Sequence, residues 1–310
     1  MFMQLLKKIF IVAIFLSFAN CQVTFAANGG IPVDWSKVQK ISSKSDLAKY
    51  FENKKRAGQN FIPVILTNGL KISAEEFLDL CPSSLVNQKI VYNDGQNMRI
   101  IYETTEYPGT KVANAYLSGN TSKLSQEELK LYNVAVSIIN EAKKKNNLQS
   151  QEMYIYSTIL NRTMYYSTGK FDNQPRHCTA IGALIDGRAN CQGYSDAFYM
   201  LCRMMNWNVN RMIGTIKANG GAHMWNTITF NTEKANERTY CVDVTLGDDS
   251  IQYGYTTGEK KLHSYIYFNA PIEIMQVTHS WNWDLAPTIQ SSVDSNYSYG
   301  FFDNLVRMNN

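Results

Sequence analysis

Residues 189–205 constrain the fold more than any other stretch of this 310-residue chain. Ala189-Asn190-Cys191-Gln192-Gly193-Tyr194-Ser195 runs into Tyr194, Ala197, Phe198, Leu201, Cys202 and Met205, apolar positions that recur at helical spacing. A helix with that pattern is buried. It is expected to start just after Gly193, which leaves Cys191 at its N-terminus. Free N–H groups and the positive end of the helix dipole favour an anion there, so the thiol is biased toward thiolate. Small Gly193 would let a substrate backbone approach, and the same N–H groups are candidates to stabilise an oxyanion.

Two predicted strands follow. His223 comes after a Gly220-Gly221 turn and opens the strand Met224–Phe230, with Trp225 placed to cover the imidazole. Asp243 falls inside a second strand, between Val242 and Val244. A carboxylate there is costly to bury alone, and an adjacent antiparallel strand carrying His223 would supply its partner. Thiol, imidazole and carboxylate in this order read as nucleophile, acid/base and orienter, the set for acyl transfer through a thioester. Each residue alone has an ordinary reading: a buried cysteine, a satisfied core histidine, a strand-end acid beside loop acids Asp248 and Asp249. The inference rests on the three together. His177, His263 and His279 have no comparable setting, although His177-Cys178 could contribute to a metal site.

The rest of the chain divides into four expected parts. Residues 1–27 read as a secretory signal: Lys7 and Lys8, an apolar run from Ile9 to Phe18 too short to span a bilayer comfortably, then Ala26-Ala27. An uncleaved membrane anchor is one alternative, set back by the short apolar run, and lipid attachment at Cys21 is a weaker one, because Phe18-Ala19-Asn20 fits a lipoprotein signal poorly. Residues 28–118 form a small α+β domain of unassigned role. Its signals are a helix over Ser45–Lys55, a strand over Phe61–Thr67 and a capping box Ser73-Ala74-Glu75-Glu76 before another helix. A hairpin about Asp94-Gly95 joins Lys89–Tyr92 to Met98–Tyr102. Pro108-Gly109 then turns the chain toward Val112–Leu117. The polar stretch Ser118–Ser122 marks the boundary. Residues 119–290 form the domain that carries the chemistry, with a capped helix from Ser125, a second over Ser150–Tyr166, and strands beyond Tyr240, Ser264–Phe268 being the clearest. Residues 291–310 are a Ser/Asn/Tyr-rich tail.

Composition excludes several classes. The formal charge of +4 falls to +2 without Lys7 and Lys8, too little to argue for nucleic acid. No GxGxxG follows a strand and no P-loop is present, so no nucleotide cofactor is expected. Cys178, Cys191, Cys202 and His223 lack the spacing of a zinc site, so no metal is expected either. Once Cys21 is removed with the signal, five cysteines remain (Cys81, Cys178, Cys191, Cys202, Cys241), an odd number that leaves a thiol unpaired. Nothing requires the others to pair; Cys202 and Cys241 read as small buried hydrophobes.

Cys191-Gln192-Gly193-Tyr194, His223-Met224-Trp225-Asn226 and Val242-Asp243-Val244-Thr245, with Gly247-Asp248-Asp249 following, together resemble the transglutaminase-like superfamily of papain-like cysteine enzymes. Ala180–Gly187 is similar to the family's approach to the nucleophile, and Tyr165-Tyr166 to its aromatic motif. The resemblance spans Leu124 to Tyr267. It implies an α+β core in which helices pack on an antiparallel sheet, with Cys191 as nucleophile at a helix N-terminus, His223 as acid/base and Asp243 as orienter. Gln192 stands where many relatives have Glu. The side chain that completes the oxyanion hole has no clear match; Gln174 and Asn190 are the candidates, with Gln192, Gly193, Tyr194 and Trp225 as further cleft residues.

The leading expectation is an exported cysteine enzyme that hydrolyses amide bonds of a protein or peptide substrate, such as one associated with the cell envelope, with no transmembrane segment in the mature chain. A protein-crosslinking transglutaminase shares the first half-reaction. A non-catalytic surface binding module on the same fold is the alternative of a different class.

Overall fold

The structure, a computed structural model, describes residues 33–56, 59–72, 84–166, 175–230, 238–248 and 263–281. The expected signal and Cys21, the Ser73–Glu76 capping box, Gln174 and the tail lie outside these residues. The boundary between two compact units falls at Tyr107 and Pro108.

The N-terminal unit is one sheet and a helix. β1 (Lys40–Ile41), β2 (Phe61–Leu66), β3 (Ser84–Asn93) and β4 (Met98–Glu106) lie in the order β1-β2-β4-β3. Strand β1 is parallel to β2, and the other pairs are antiparallel. Asp94 makes the β3–β4 turn by accepting the N–H groups of Gln96 and Asn97 at 2.9 and 2.6 Å. Gly95 takes the left-handed φ of +88° that the turn requires. Helix α1 (Lys44–Arg56) contributes Leu47 and Phe51 to a core shared with Ile41, Ile62, Val64, Leu66, Ile100 and Tyr102. Phe51 meets Tyr102 edge-on at 5.0 Å.

The second unit begins with α2 (Pro108–Ser118), so the segment after Pro108-Gly109 is helical and belongs downstream of the unit boundary rather than upstream of Ser118. Proline is favourable at the first helical position, where no N–H is needed. The helix is held by the Gly109 N–H, which donates to Asp196 Oδ2 at 3.1 Å. A Cβ at Gly109 would sit 2.5 Å from Asp196 Oδ1, so only glycine permits this approach. Helix α3 (Gln126–Ala142) starts at a reciprocal capping box between Ser125 and Glu128 and buries Leu131, Ala135, Ile138, Ile139 and Ala142. Helix α4 (Leu148–Arg162) is capped by Asn147 and stops before a short parallel pair, β5 (Met164–Tyr165) with β6 (Arg188–Ala189). Helix α5 (Cys191–Met204) packs in the middle of the largest apolar cluster through Tyr194, Ala197, Phe198 and Leu201.

An antiparallel sheet completes the unit: β7 (Asn208–Ile216), β8 (Gly221–Phe230), β9 (Arg238–Val242) and β10 (His279–Ser280), in the order β10-β7-β8-β9. Helices on an antiparallel sheet make this an α+β fold. Two expectations change here. Asp243 lies just past the end of β9 rather than inside it. Ser264–Phe268 is not a strand: it leads into a turn at Asn269, whose φ of +48° an asparagine tolerates. Phe268 packs edge-on against Tyr156 at 5.2 Å, while Asn269 Nδ2 donates to the buried Glu152 carboxyl at 2.7 Å, and both contacts anchor the turn. Helix α6 (Ile272–Thr278) then leads directly into β10.

Candidate functional site

Cys191 opens α5 itself, three positions earlier than the sequence suggests, because Asn190 is the N-cap. Its Oδ1 accepts the N–H groups of Gln192 and Gly193 at 3.0 and 3.3 Å. Its Nδ2 donates to Cys178 Sγ at 3.0 Å. Asn190 therefore holds the helix end. Gln192 and Gly193 have likewise spent their N–H groups. Among the described residues, the Cys191 N–H is the donor of this first turn that has no acceptor.

The other expected cleft residues are placed by packing. A Cβ at Gly193 would lie 2.5 Å from the His177 carbonyl and 2.7 Å from Ala189 Cβ, so its small size serves the contact with residues 177–189, not substrate approach. Tyr194 is fully buried and its hydroxyl donates to Asp248 Oδ2. Asp248 is thus a buried partner of α5 instead of a loop acid. Gln192 is buried as well.

Helix α5 and strand β8 are tied directly together. Ser195 Oγ donates to the Trp225 carbonyl at 3.1 Å, and Asn226 Nδ2 donates to the Ser195 carbonyl at 3.2 Å. Two elements distant in sequence thereby hold Cys191 and His223 in register. His223 Nε2 lies 2.7 Å from Asp243 Oδ2, and both side chains are fully buried. The other ring nitrogen, Nδ1, has no hydrogen-bond partner among the described residues, and the Cys191 thiol is near enough to His223 to act on its protonation. Asp243 is fixed in turn by its own N–H, which donates to the Tyr267 carbonyl at 3.0 Å, and by the Leu246 N–H, which donates to Oδ1 at 3.1 Å.

Electrostatics follow from that arrangement. Burial disfavours the His223 imidazolium, but the Asp243 charge and the hydrogen bonds to Asp243 and Cys191 outweigh it, raising the ring to about 10. Burial likewise opposes the Asp243 carboxylate, and His223 and His279 overcome it, holding the group well below the usual range. The site therefore favours a positive imidazole beside the thiol at neutral pH. Trp225 stacks on the His223 ring at 6.0 Å and 22°, which keeps water from that face. Burial pushes the Tyr165 phenol well up, with charge interactions from Cys191 and Asp243 adding to it. Tyr165 thus neighbours both groups, a role its place in a tyrosine pair did not reveal.

His279 was not distinguished by sequence. It reaches the site from β10, with Nε2 3.0 Å from the same Asp243 Oδ2 that receives His223. His223, Asp243 and His279 offer ligand atoms within 4.8 Å of one another, the donor set of a transition-metal site. The two N···O separations are hydrogen-bond lengths, so a metal would have to replace both bridging protons. Cys178 is disulfide-bonded and its His177 neighbour packs on Tyr166, so the pair does not offer a thiolate ligand. Cys202 and Cys241 are free and buried. Burial raises both thiols, Cys241 to about 12, which keeps them unreactive.

The family model that describes the transglutaminase-like superfamily matches residues 133–240. This segment belongs to that superfamily. Cys191 and His223 lie within the transglutaminase-like segment, and Asp243 just beyond it. Among solved structures, a TGase is 14% identical with a TM-score of 0.31, the match covering 67% of this chain and 55% of that one. A candidate cysteine protease from Cytophaga hutchinsonii is 12% identical with a TM-score of 0.29, over 60% of this chain and 64% of that one. A candidate protease from Parabacteroides distasonis is 8% identical, also at 0.29, over 60% and 43%. The chain thus spans about half to two thirds of the length of these proteins. No curated protein matches it significantly. At the level of the family, the transglutaminase-like segment supports a cysteine-dependent enzyme. No helix of the described residues is long and apolar enough to cross a membrane.

Proposed function

We propose that the protein is a cysteine hydrolase that cleaves amide bonds in a protein or peptide through a thioester on Cys191, with His223 as acid/base and Asp243 as its orienter. One observation carries the reading: a fully buried His223–Asp243 pair at 2.7 Å, with the Cys191 thiol of a helix N-terminus acting on the same imidazole. A structural pair would not need that thiol, and burying two charges is costly without a return elsewhere.

In the first half-reaction the Cys191 thiolate attacks the carbonyl carbon and a C–S bond forms. The negative oxygen meets the unspent Cys191 N–H, the donor that Asn190 leaves available. The C–N bond breaks as the His223 imidazolium gives its Nδ1 proton to the leaving amine. Water then attacks the thioester, His223 takes its proton, and the carboxylic acid leaves as the Cys191 thiolate is restored. If an amine replaces water, the same intermediate yields a crosslink.

Export is part of the proposal and rests on the sequence pattern of Lys7, Lys8, the apolar run and Ala26-Ala27. Incubating the protein with denatured protein substrates, with and without a fluorescent primary amine, tests the chemistry. New amino termini that vanish in Cys191→Ala support hydrolysis. Incorporation of the amine without cleavage replaces it with transfer. Neither product in the wild type removes the proposal.

A further inference from the structure

We infer that His279 is a positioning residue: it donates a second imidazole N–H to the Asp243 oxygen that receives His223, and so fixes the carboxylate that fixes the acid/base. The inference rests on the reading of Cys191, His223 and Asp243 given above.

Asp243 Oδ2 lies 2.7 Å from His223 Nε2 and 3.0 Å from His279 Nε2, while Oδ1 takes the Leu246 N–H at 3.1 Å. A carboxylate oxygen has two lone pairs, and on Oδ2 both are occupied. Rotation of the carboxylate in either direction breaks at least one of these bonds. The protonation states agree with the geometry. Burial keeps the His279 ring neutral despite Asp243. A neutral ring carries one N–H, which must be on Nε2 to meet a carboxylate. The other ring nitrogen, Nδ1, has Thr278 Oγ1 at 2.8 Å.

The chain is also shaped to deliver this histidine. Strand β10 is two residues long and pairs with β7 through His279 opposite Ile216 and Ser280 opposite Thr215. The Lys217 N–H anchors its approach by donating to the Thr278 carbonyl at 2.8 Å. At Gly214, which faces His223 across β7 and β8, a Cβ would fall 2.1 Å from the Ser280 carbonyl oxygen and 2.7 Å from the Trp225 ring. Gly214 thus admits β10 to the site. A histidine kept only to fill space would need no carboxylate. Its ring lies against Trp225 at 4.9 Å and Tyr267 at 5.7 Å, where an apolar side chain of similar volume would avoid the cost of burying an imidazole. The titratable groups around the pair are His223, Asp243 and Tyr267, with Cys191, Tyr165 and Cys241 acting on Asp243 or His223.

The test compares His279→Leu, which fills the space without donating, with His279→Gln, whose amide can donate but cannot titrate. Two readouts are taken on each folded protein: the pH profile of Cys191 alkylation, and an NMR titration of the His223 ring. In His279→Leu the His223 titration and the alkaline limb of alkylation should move to lower pH by about one unit. The neutral-pH rate should fall about 10- to 100-fold, the scale of a small misplacement of a catalytic group. His279→Gln should recover most of both. An unmoved His223 titration in His279→Leu, or a Gln variant as impaired as Leu, overturns the inference. Should His279→Leu not fold, Gly214→Ala displaces β10 and must shift the His223 titration in the same direction, an unmoved titration again overturning it. An unreactive Cys191 in the wild type counts against the proposed function, whereas the NMR titration judges His279 independently of it.

Discussion

Both four-stranded sheets of this protein bury apolar side chains, but one of them buries charged groups as well. In β1-β2-β4-β3 the covered face is Ile41, Ile62, Val64, Leu66, Ile100 and Tyr102, closed by Leu47 and Phe51 of α1. In β10-β7-β8-β9 the buried set includes Arg211, His223, Asn226 and His279, with Asp243 at the end of β9 and Asp196 on α5. Apolar burial contributes stability roughly in proportion to area and tolerates repacking. Buried charge contributes only when every member has its partner, and losing one member strands the other. The first sheet can be read as stability alone. The second accepts electrostatic cost, which the Asp196–Arg211 pair returns by bracing α5 and the His223–Asp243–His279 group by acting on Cys191.

The largest expected effect separates function from fold within the second sheet. Asp243→Asn keeps the shape but cannot hold the His223 imidazolium, so Cys191-dependent turnover should fall about a thousandfold or more. Steady-state assays of substrate cleavage check this, and a fall under tenfold would remove Asp243 as orienter.

Next comes the ion pair that braces the helix. Asp196 accepts from the Gly109 N–H at 3.1 Å, the Ala180 N–H at 2.8 Å and the Arg211 guanidinium, all in the interior. Arg211→Met should cost about 3–5 kcal/mol in urea unfolding, because it leaves Asp196 buried without its cation. A cost under 1 kcal/mol would mean that the pair is not what fixes α2 and α5 together.

Ile62→Ala in the first sheet should cost about 2–4 kcal/mol, from lost burial and the cavity left behind. It should leave the Cys191 alkylation rate unchanged in the folded protein, and a changed rate would dissolve the contrast between the sheets. Glu152 supplies the smallest and most specific effect. Burial raises its carboxyl to about 8, with the Asn269 hydrogen bond opposing. The folded value lies above the unfolded one of about 4.5, so this group's contribution is intact below that pH and is lost as pH rises through about 8. Glu152→Gln should therefore stabilise by about 1–3 kcal/mol at pH 9 and by little at pH 4, measured as thermal midpoints across pH.

Much of the site could be read from sequence because its parts sit in local contexts with their own physics. Cys191 precedes a strongly periodic helix, and His223 follows a glycine turn into an apolar strand. Ser125 and Glu128 form the reciprocal cap that their spacing predicts. His279 was illegible for the opposite reason. It lies 36 residues past Asp243 in the unremarkable run Val277-Thr278-His279-Ser280, and only the pairing of β10 with β7 brings it home. Helix α2 did carry a signal, Pro108 at the first position with Val112, Ala113 and Tyr116 at helical spacing, which the Pro-Gly turn reading overrode. Residues 264–268 misled because the run Tyr265-Ile266-Tyr267-Phe268 is rich in strand-favouring residues, while the left-handed Asn269 and its bond to Glu152 are tertiary facts.

The central claim is that the Cys191 thiol is activated by a protonated His223. The most direct measurement is the rate of Cys191 alkylation across pH, mapped by peptide mass, in the wild type and in His223→Ala. The account predicts fast alkylation at neutral pH and a pH profile that changes when His223 is lost. An ordinary thiol profile in the wild type, unchanged by His223→Ala, would contradict it.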